Sequence, residues 1–393
     1  MKKAGLLSVL PLMAIGAVTL TSCNKTESVM TITVVTDSGT ISDQGFNQST
    51  YEGAIDFMND HEDGLINVNY LPPQDNTAAR VASIESAINA GADIVALPGF
   101  LFQSAIYQVQ DRFEDTLFLA VDCDPVDDDN GNAPYTYTPN VISLKYAEEI
   151  VGWLAGYSLV MDGYTSLGFT GGMPVPAVVK YGQGYLQGAQ YAAEQMNLAD
   201  NAITIKYRYA GSFTPTEEAT QIATTWYDEG TEVNFACGGS ILDSVLGGAN
   251  SHNNKVGTAE AKIFGVDVDQ AHISPLIINS AMKNIRGSVH QYLTEVWDTH
   301  TETTDEEGVV TYNFAWPSDV AGSTVINDIQ NDGVGLATAD ESWRFNTFTT
   351  EDYNAVVEEL KSGSIEIKII ENTDNHIPAE DESLSKLDVL YQS

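Results

Sequence analysis

From residue 31 to about residue 298, short apolar runs alternate with helix-length amphipathic stretches. The runs at 31–37 (TITVVTD), 92–99, 116–124 and 140–146 read as one set of strands, and those at 166–172, 204–211, 232–239 and 261–269 as a second. Between them the pattern predicts helices over 46–60, 76–90, 100–112, 147–161, 177–196, 215–229 and 240–250. The strand runs are nearly continuous Val, Ile, Leu and Phe, the pattern of strands covered on both faces. Strand–helix–strand repetition builds such strands into parallel sheets through right-handed crossovers. An α/β protein of two similar lobes is therefore expected.

Each run ends in a polar or glycine-rich turn: TDSG, PGF, DCD, GG, AGS, CGG and DVDQ. In open parallel sheets the ligand sits beyond the carboxyl ends of the strands. Two sheets that both collect polar residues there would line one cleft, the geometry of a clamshell binding protein. Two polar, acidic, turn-rich insertions, 124–137 and 300–319, interrupt the pattern, and the first is expected to be a solvated surface loop. A calcium-loop reading of the first fails: with Gly131 at the sixth position the first is Val126, and the closing Glu is absent.

Seventeen basic against 55 acidic residues give a net charge of −38, although only 18% of residues are charged and 43% are hydrophobic. This is the composition of a folded chain. Its charge repels phosphate backbones and anionic lipid surfaces, so no nucleic-acid partner is expected. Lys2 and Lys3 precede an apolar run from Ala4 to Leu20, too short for a membrane span and laid out as an export signal. Leu20-Thr21-Ser22-Cys23 resembles a bacterial lipobox, so Cys23 is the expected lipidation site. Residues 1–22 then form a lipoprotein signal peptide and 23–30 the lipidated cysteine with its tether. That anchors the protein to the extracytoplasmic face of a cell membrane. Cys123 and Cys237 make no disulfide framework and read as small buried hydrophobes.

No GxSxG elbow and no GxxxxGK[ST] phosphate loop occurs. The glycines at 182, 184 and 188 miss the dinucleotide spacing by one residue and fall within a predicted helix. The histidines are scattered, with no metal-ligand spacing, so neither a metal nor a cofactor is expected.

The segment VTDSGTISDQGFNQSTYEGA (35–54) resembles the opening of the basic membrane protein family, nucleoside-binding lipoproteins of the purine nucleoside receptor type that serve ABC importers. The resemblance continues in register through GADIVALPGF (91–100), FLAVD (118–122), NVISLKYAEEIVGWLAGYSL (140–159) and LGFTGGMPVPAVVKYGQGYLQGA (167–189). It runs on through YAGSFT (209–214), FACGG (235–239), FGVDVDQ (264–270), NSAMK (279–283) and LKSGSIEI (360–367).

The resemblance implies a type I periplasmic-binding-protein clamshell, two Rossmann-like lobes with parallel sheets joined by a multi-strand hinge. It implies that Phe46 and Phe213 sandwich a planar base, with Asp37 and Asn47 bonding base edge or sugar. Asp122, Asp267 and Lys283 would grip ribose hydroxyls, while Gly238 and Gly239 let backbone amides approach the ligand. By residue type alone, Phe46 and Phe213 could equally be cap and core aromatics, and Asp37 and Asp267 helix caps. Asp269 competes with Asp267 for the ligand role, and Asp43 reads as a loop-holding residue. Two departures stand out: Ser240-Ile241-Leu242-Asp243 replaces a further glycine pair, and Tyr181 stands where the family usually shows Phe.

The expected organisation is a first lobe of 31–143 plus 276–318 and a second of 144–275 plus 319–393, with hinge crossings near 142–147, 270–278 and 318–324. The expected activity is non-enzymatic: a monomer captures a nucleoside, a purine one foremost, and delivers it to an ABC permease and ATPase complex. Riboflavin or another flat hydroxylated ligand is the rival cargo. A nucleoside-processing enzyme and a surface adhesin are the rival classes.

Overall fold

A computed structural model describes residues 29–37, 39–61, 65–70, 72, 74–127, 134–368 and 383–392. The expected signal peptide over 1–22, the expected lipidation site Cys23 and the interior of the first acidic insertion lie outside the described residues. In chain order the first half contains β1 (Met30–Val35), α1 (Phe46–Asp60), β2 (Leu65–Tyr70), α2 (Thr77–Asn89), β3 (Ile94–Pro98), α3 (Gln103–Val109), β4 (Leu117–Val121), β5 (Val141–Tyr146), α4 (Glu148–Met161), β6 (Ser166–Gly171) and α5 (Pro176–Gln195). There follow β7 (Ile203–Tyr209), α6 (Glu217–Asp228), β8 (Val233–Cys237), α7 (Ile241–Val256), β9 (Lys262–Asp267), β10 (Ile277–Lys283) and α8 (Ile285–Thr299). The chain ends with β11 (Thr301–Thr304), β12 (Val310–Asn313), β13 (Ser323–Asn327), β14 (Val334–Leu336), α9 (Thr350–Lys361) and β15 (Leu387–Tyr391).

One sheet has the order β13-β5-β4-β3-β1-β2 and the other β14-β10-β9-β8-β6-β7-β15. All pairings in the first are parallel. In the second only the edge strand β14 runs antiparallel. Read from β2 to β5 and from β7 to β10, both sheets share the doubly wound order 2-1-3-4-5, so the switch points fall between β1 and β3 and between β6 and β8. The strands β3, β4 and β8 are buried at every residue, as their unbroken apolar runs require.

Two expectations about lobe boundaries are corrected. The segment 277–283, expected in the first lobe, is the strand β10 of the second sheet; 323–327, expected in the second, is β13 of the first sheet. The chain therefore crosses between Tyr146 and Glu148, between Lys283 and Ile285, and between Asn327 and Val334. Both strands are short and half polar (IINSAMK and STVIN), so composition does not say which sheet they extend. Within the second insertion β11 and β12 pair as an antiparallel hairpin. The first insertion begins inside the protein, where buried Asp124 accepts from Lys145 at 3.1 Å and from Tyr137 at 2.5 Å. Burial acts against the Asp124 carboxylate, but Lys145 and Tyr137 outweigh it and hold its pKa below the usual range.

The second lobe is fastened by a glycine-to-backbone contact between α4 and α5. A Cβ on Gly152 or Gly156 would strike the carbonyls of Tyr181 and Tyr185, and one on Gly184 or Gly188 those of Glu149 and Trp153. Two of the three near-miss glycines, Gly184 and Gly188, thus form a helix-packing surface, small residues four apart that let two helix backbones touch, while Gly182 makes room for the Tyr207 hydroxyl. The contact also carries Glu148 and Tyr181 to their places beside the cleft. Cys123 and Cys237 are both free and buried, as expected of small hydrophobes. Among the described residues no helix is long and apolar enough to cross a membrane.

Candidate functional site

A cavity of about 340 Å³ lies between the two sheets, at the carboxyl ends of their strands. Its wall includes all nine residues nominated from the sequence: Asp37, Phe46, Asn47, Asp122, Phe213, Gly238, Gly239, Asp267 and Lys283. Asp37 follows β1 and Asp122 follows β4 in the first lobe. Phe213 follows β7, Gly238 and Gly239 follow β8, Asp267 ends β9 and Lys283 ends β10 in the second. The doubly wound order gathers these strand ends at the switch points, so residues far apart in sequence share one wall.

Asp37, Asn47 and Asp43 form one network at the entrance to α1. The Asn47 amide donates to Asp37 Oδ1 at 3.1 Å and to Asp43 Oδ2 at 2.9 Å. Asp43 also accepts from the backbone amides of Gly45, Asn47 and Gln48, at 3.0, 3.2 and 3.1 Å. It satisfies amides that the first turn of a helix leaves without partners, in keeping with its reading as a loop holder, although it also reaches the cavity wall. Phe46 is the first residue of α1 and is aimed by this cap.

Opposite lies Phe213, and the glycines around it make its seat. A Cβ on Gly172 or Gly238 would meet the Phe213 ring, and Gly238 has a φ of 133° that only glycine adopts easily. The space these glycines leave is filled by Phe213, a role the sequence reading did not assign to them.

Lys283 is the centre of charge. Its ammonium contacts the Asp122 carboxylate directly, Glu148 Oε1 at 3.0 Å and Asp267 Oδ1 at 3.8 Å, and all four side chains are less than a tenth exposed. It also lies 5.3–5.5 Å from the ring centres of Phe46, Tyr146 and Tyr181, within cation–π range. Burial acts to discharge this lysine, but Asp122 and Glu148 outweigh it and hold its pKa well above the ordinary value. Burial pushes the Asp122 carboxyl up to about 7 against the pull of Lys283. Asp267 is raised by the same cause. At Glu148 burial is overcome by Lys283, Lys180 and Lys145, and its pKa is lowered.

Asp122 and Asp267 leave their strands with positive φ, 60° and 64°. Such backbone is costly for a non-glycine residue and clusters at functional sites. Asp122 Oδ1 is buried and makes no hydrogen bond among the described residues, so one acceptor remains at the cavity wall. Asp269 lies apart from this cavity: it accepts from the Ser342 hydroxyl and from the Ala271 amide at 3.0 Å. Of the two competing aspartates, Asp267 is the one on the wall.

The sequence reading did not nominate Glu148, and it noted Tyr181 only as a departure from the family pattern, not as a site residue. Tyr181 is buried, with its hydroxyl 3.4 Å from Asp267 Oδ1 and from the Ala281 carbonyl. Glu148 opens a helix whose residues are almost all buried. An acid at the head of so apolar a stretch was the available signal, but acids in a first turn ordinarily answer the helix dipole. Among the described residues no group of His, Cys, Asp and Glu could hold a metal ion.

Two parallel doubly wound sheets, three crossings and a polar cavity between the strand ends define a type I periplasmic-binding-protein clamshell. A solute-binding protein from Aeropyrum pernix shares this fold, with a TM-score of 0.64 over 86% of this chain and 87% of that one, at 20% identity. The chain belongs to the Bmp family of PnrA-like ABC transporter substrate-binding proteins, whose profile matches residues 30–313. It is similar to the CD4+ T-cell-stimulating antigen of Listeria innocua, 27% identical over 253 residues, which are 63% of this chain and 65% of that protein. It is also similar to the ABC transporter nucleoside-binding protein BmpA of Lactococcus lactis, 26% identical over 63% of this chain and 67% of that protein. The match thus spans about two thirds of these relatives' length, just under that share for the antigen.

Proposed function

We propose that this protein captures a nucleoside, a purine one foremost, by closing its two lobes on it, and delivers it to an ABC permease and its ATPase. The observation that carries this reading is the meeting of Phe46 and Phe213, from opposite lobes, with Asp122, Asp267 and Lys283 in one cavity. Aromatic faces take a planar base, carboxylates accept from sugar hydroxyls, and an ammonium donates back to them. The cavity falls in the size range of small-molecule sites. Among the described residues Lys283 is the one cation on its wall, outnumbered by Asp37, Asp43, Asp122 and Asp267, which supports an uncharged nucleoside over a nucleotide. The name of the Lactococcus relative points the same way. In this reading ligand contacts from both lobes favour the closed form, and the closed form engages the permease. Cys23, lipidated, tethers the protein to the extracytoplasmic face of the membrane.

The test is calorimetric titration with inosine, guanosine, adenosine, cytidine, ribose and riboflavin, after unfolding and refolding the protein to strip carried ligand. Nucleosides are expected to bind and free ribose to stay silent. Heat from riboflavin alone would transfer the site to a flavin cargo, and conversion of nucleoside to free base would reveal an enzyme. Asp267→Ala is expected to cost a few kcal/mol of nucleoside binding, roughly the penalty for hydroxyls left unpaired in a closed site. Undiminished affinity in that variant would remove Asp267 from the site.

A further inference from the structure

The described hydrogen bonds from second-lobe side chains to the first-lobe loop over 40–45 include a donation by the Gln270 amide to the Gln44 carbonyl at 3.3 Å. Gln270 is almost wholly buried, at 2% exposure, just beyond the strand end that carries Asp267. Its conformation is fixed from two sides. Its backbone amide donates to Ser280 Oγ at 3.1 Å, and its Oε1 accepts from the Val266 amide at 2.9 Å. The second bond decides which way the side-chain amide points. A backbone N–H can only donate, so the oxygen must face Val266 and the NH₂ must face the other lobe.

The receiving loop is shaped to meet it. Gln44 has a φ of 54°, left-handed backbone that a non-glycine residue adopts at a cost. Its own amide donates to Gln48 Oε1 at 3.0 Å, which holds the turn and leaves the carbonyl for Gln270. Two residues further on stand Phe46 and then Asn47, on the cavity wall. The same loop carries Asp43, near enough to Asp267 to push that carboxyl up. Like charges therefore oppose closure here, and a neutral donor–acceptor pair is a means of closing the lobes in spite of them.

We infer that Gln270 is a positioning residue for the cavity: its locked side-chain amide clasps the Gln44 carbonyl across the lobes and holds Phe46 and Asn47 against the ligand. The inference deepens the nucleoside reading and rests on it for the ligand's identity. The clasp itself joins protein to protein and exists without cargo.

Two variants and two measurements test it. Gln270→Glu keeps an acceptor for Val266 and, studied at pH 8, loses the donor; Gln270→Leu loses both. In stopped-flow binding of inosine, both variants are expected to release ligand about tenfold faster, the worth of one hydrogen bond, with association within twofold of the parent. In small-angle scattering without ligand, both are expected to be more extended than the parent. A folded Gln270→Glu protein with parental release rate and parental scattering overturns the inference. So does a loss confined to Gln270→Leu together with a fall in its thermal midpoint, which makes Gln270 only a core residue. If no nucleoside binds the parent protein, the nucleoside reading fails while the unliganded scattering still decides the clasp.

Discussion

Asp122 follows the fourth strand of the first doubly wound sheet, and Asp267 ends the corresponding strand of the second, each in left-handed backbone. From these equivalent positions the two carboxylates take different partners. Asp122 is met directly by Lys283, which comes from the other lobe, and keeps one oxygen without a hydrogen-bond partner among the described residues. Asp267 shares a lobe with Lys283 yet stands 3.8 Å from it, with the Tyr181 hydroxyl at 3.4 Å, a hydroxyl equally near the Ala281 carbonyl. The first-lobe acid thus takes its direct ion pair from the opposite lobe, whereas the second-lobe acid finds its cation in its own. Separating the lobes would break the direct ion pair of Asp122 with Lys283, leaving it the field of Lys145 from its own lobe, and would relieve Asp267 of the opposing Asp43 charge, so closure and the ionisation of Asp122 are coupled.

The severest way to break this arrangement is Lys283→Met, which keeps the bulk and removes the charge. Asp122 and Asp267 would then lose their ion-pair partner, and Glu148 would be left with Lys180 at 3.7 Å and the field of Lys145. Removing one partner of a buried ion pair costs about 3–5 kcal/mol, and a fall of that size is expected in urea unfolding. A loss under about 1 kcal/mol would mean the acids are already neutral, and the unequal sharing of Lys283 would then matter little.

A milder test uses pH. The Asp122 carboxyl is pushed from its ordinary 3.8 up to about 7. Between those values the native state holds a proton that the unfolded chain has released, so this group makes stability fall as pH rises. The slope for one proton is about 1.4 kcal/mol per pH unit. Asn at position 122 has no proton to lose. Asp122→Asn should therefore lose less stability than the parent between pH 5 and pH 7, as read from urea midpoints at both. Asp267, also raised, contributes its share in both proteins. Parallel pH curves would show that Asp122 is ionised throughout.

The same contrast marks what the sequence discloses. Strands such as LFLAV and VNFAC are covered on both faces, and their apolar runs announce them. The residues that end them are legible too, because doubly wound sheets put polar chemistry at strand ends; the resemblance then attached roles to Asp37, Phe46, Asn47, Asp122, Phe213, Asp267 and Lys283. Late strands such as STVIN and VGL were not legible, because a short edge strand takes its sheet from tertiary pairing. Glu148 and Tyr181 were hidden for another reason. Tyr181 reaches the cavity wall, and Glu148 reaches Lys283, through the tight crossing of α4 on α5, and which carbonyl a helical glycine will face is not written in its spacing.

The smallest expected effect belongs to Tyr181, and it sharpens the comparison most finely. Its one hydroxyl proton lies 3.4 Å from two acceptors, Asp267 Oδ1 and the Ala281 carbonyl, so either could be the true partner. Tyr181→Phe removes the hydroxyl with little change in shape, and the loss of one buried hydrogen bond is worth about 0.5–1.5 kcal/mol. The pH dependence tells the acceptors apart. A bond to Asp267 favours its ionised form and lowers its pKa, against the burial that raises it. That part of the stability is present where Asp267 is ionised and is lost as pH falls through its native pKa. If the second-lobe acid is held this way, Tyr181→Phe will destabilise more at pH 8 than at pH 5 in thermal or urea unfolding. An equal loss at both would assign the hydroxyl to Ala281. Asp267 would then lean on Lys283 alone, and the two acids would differ only in their distance from one cation.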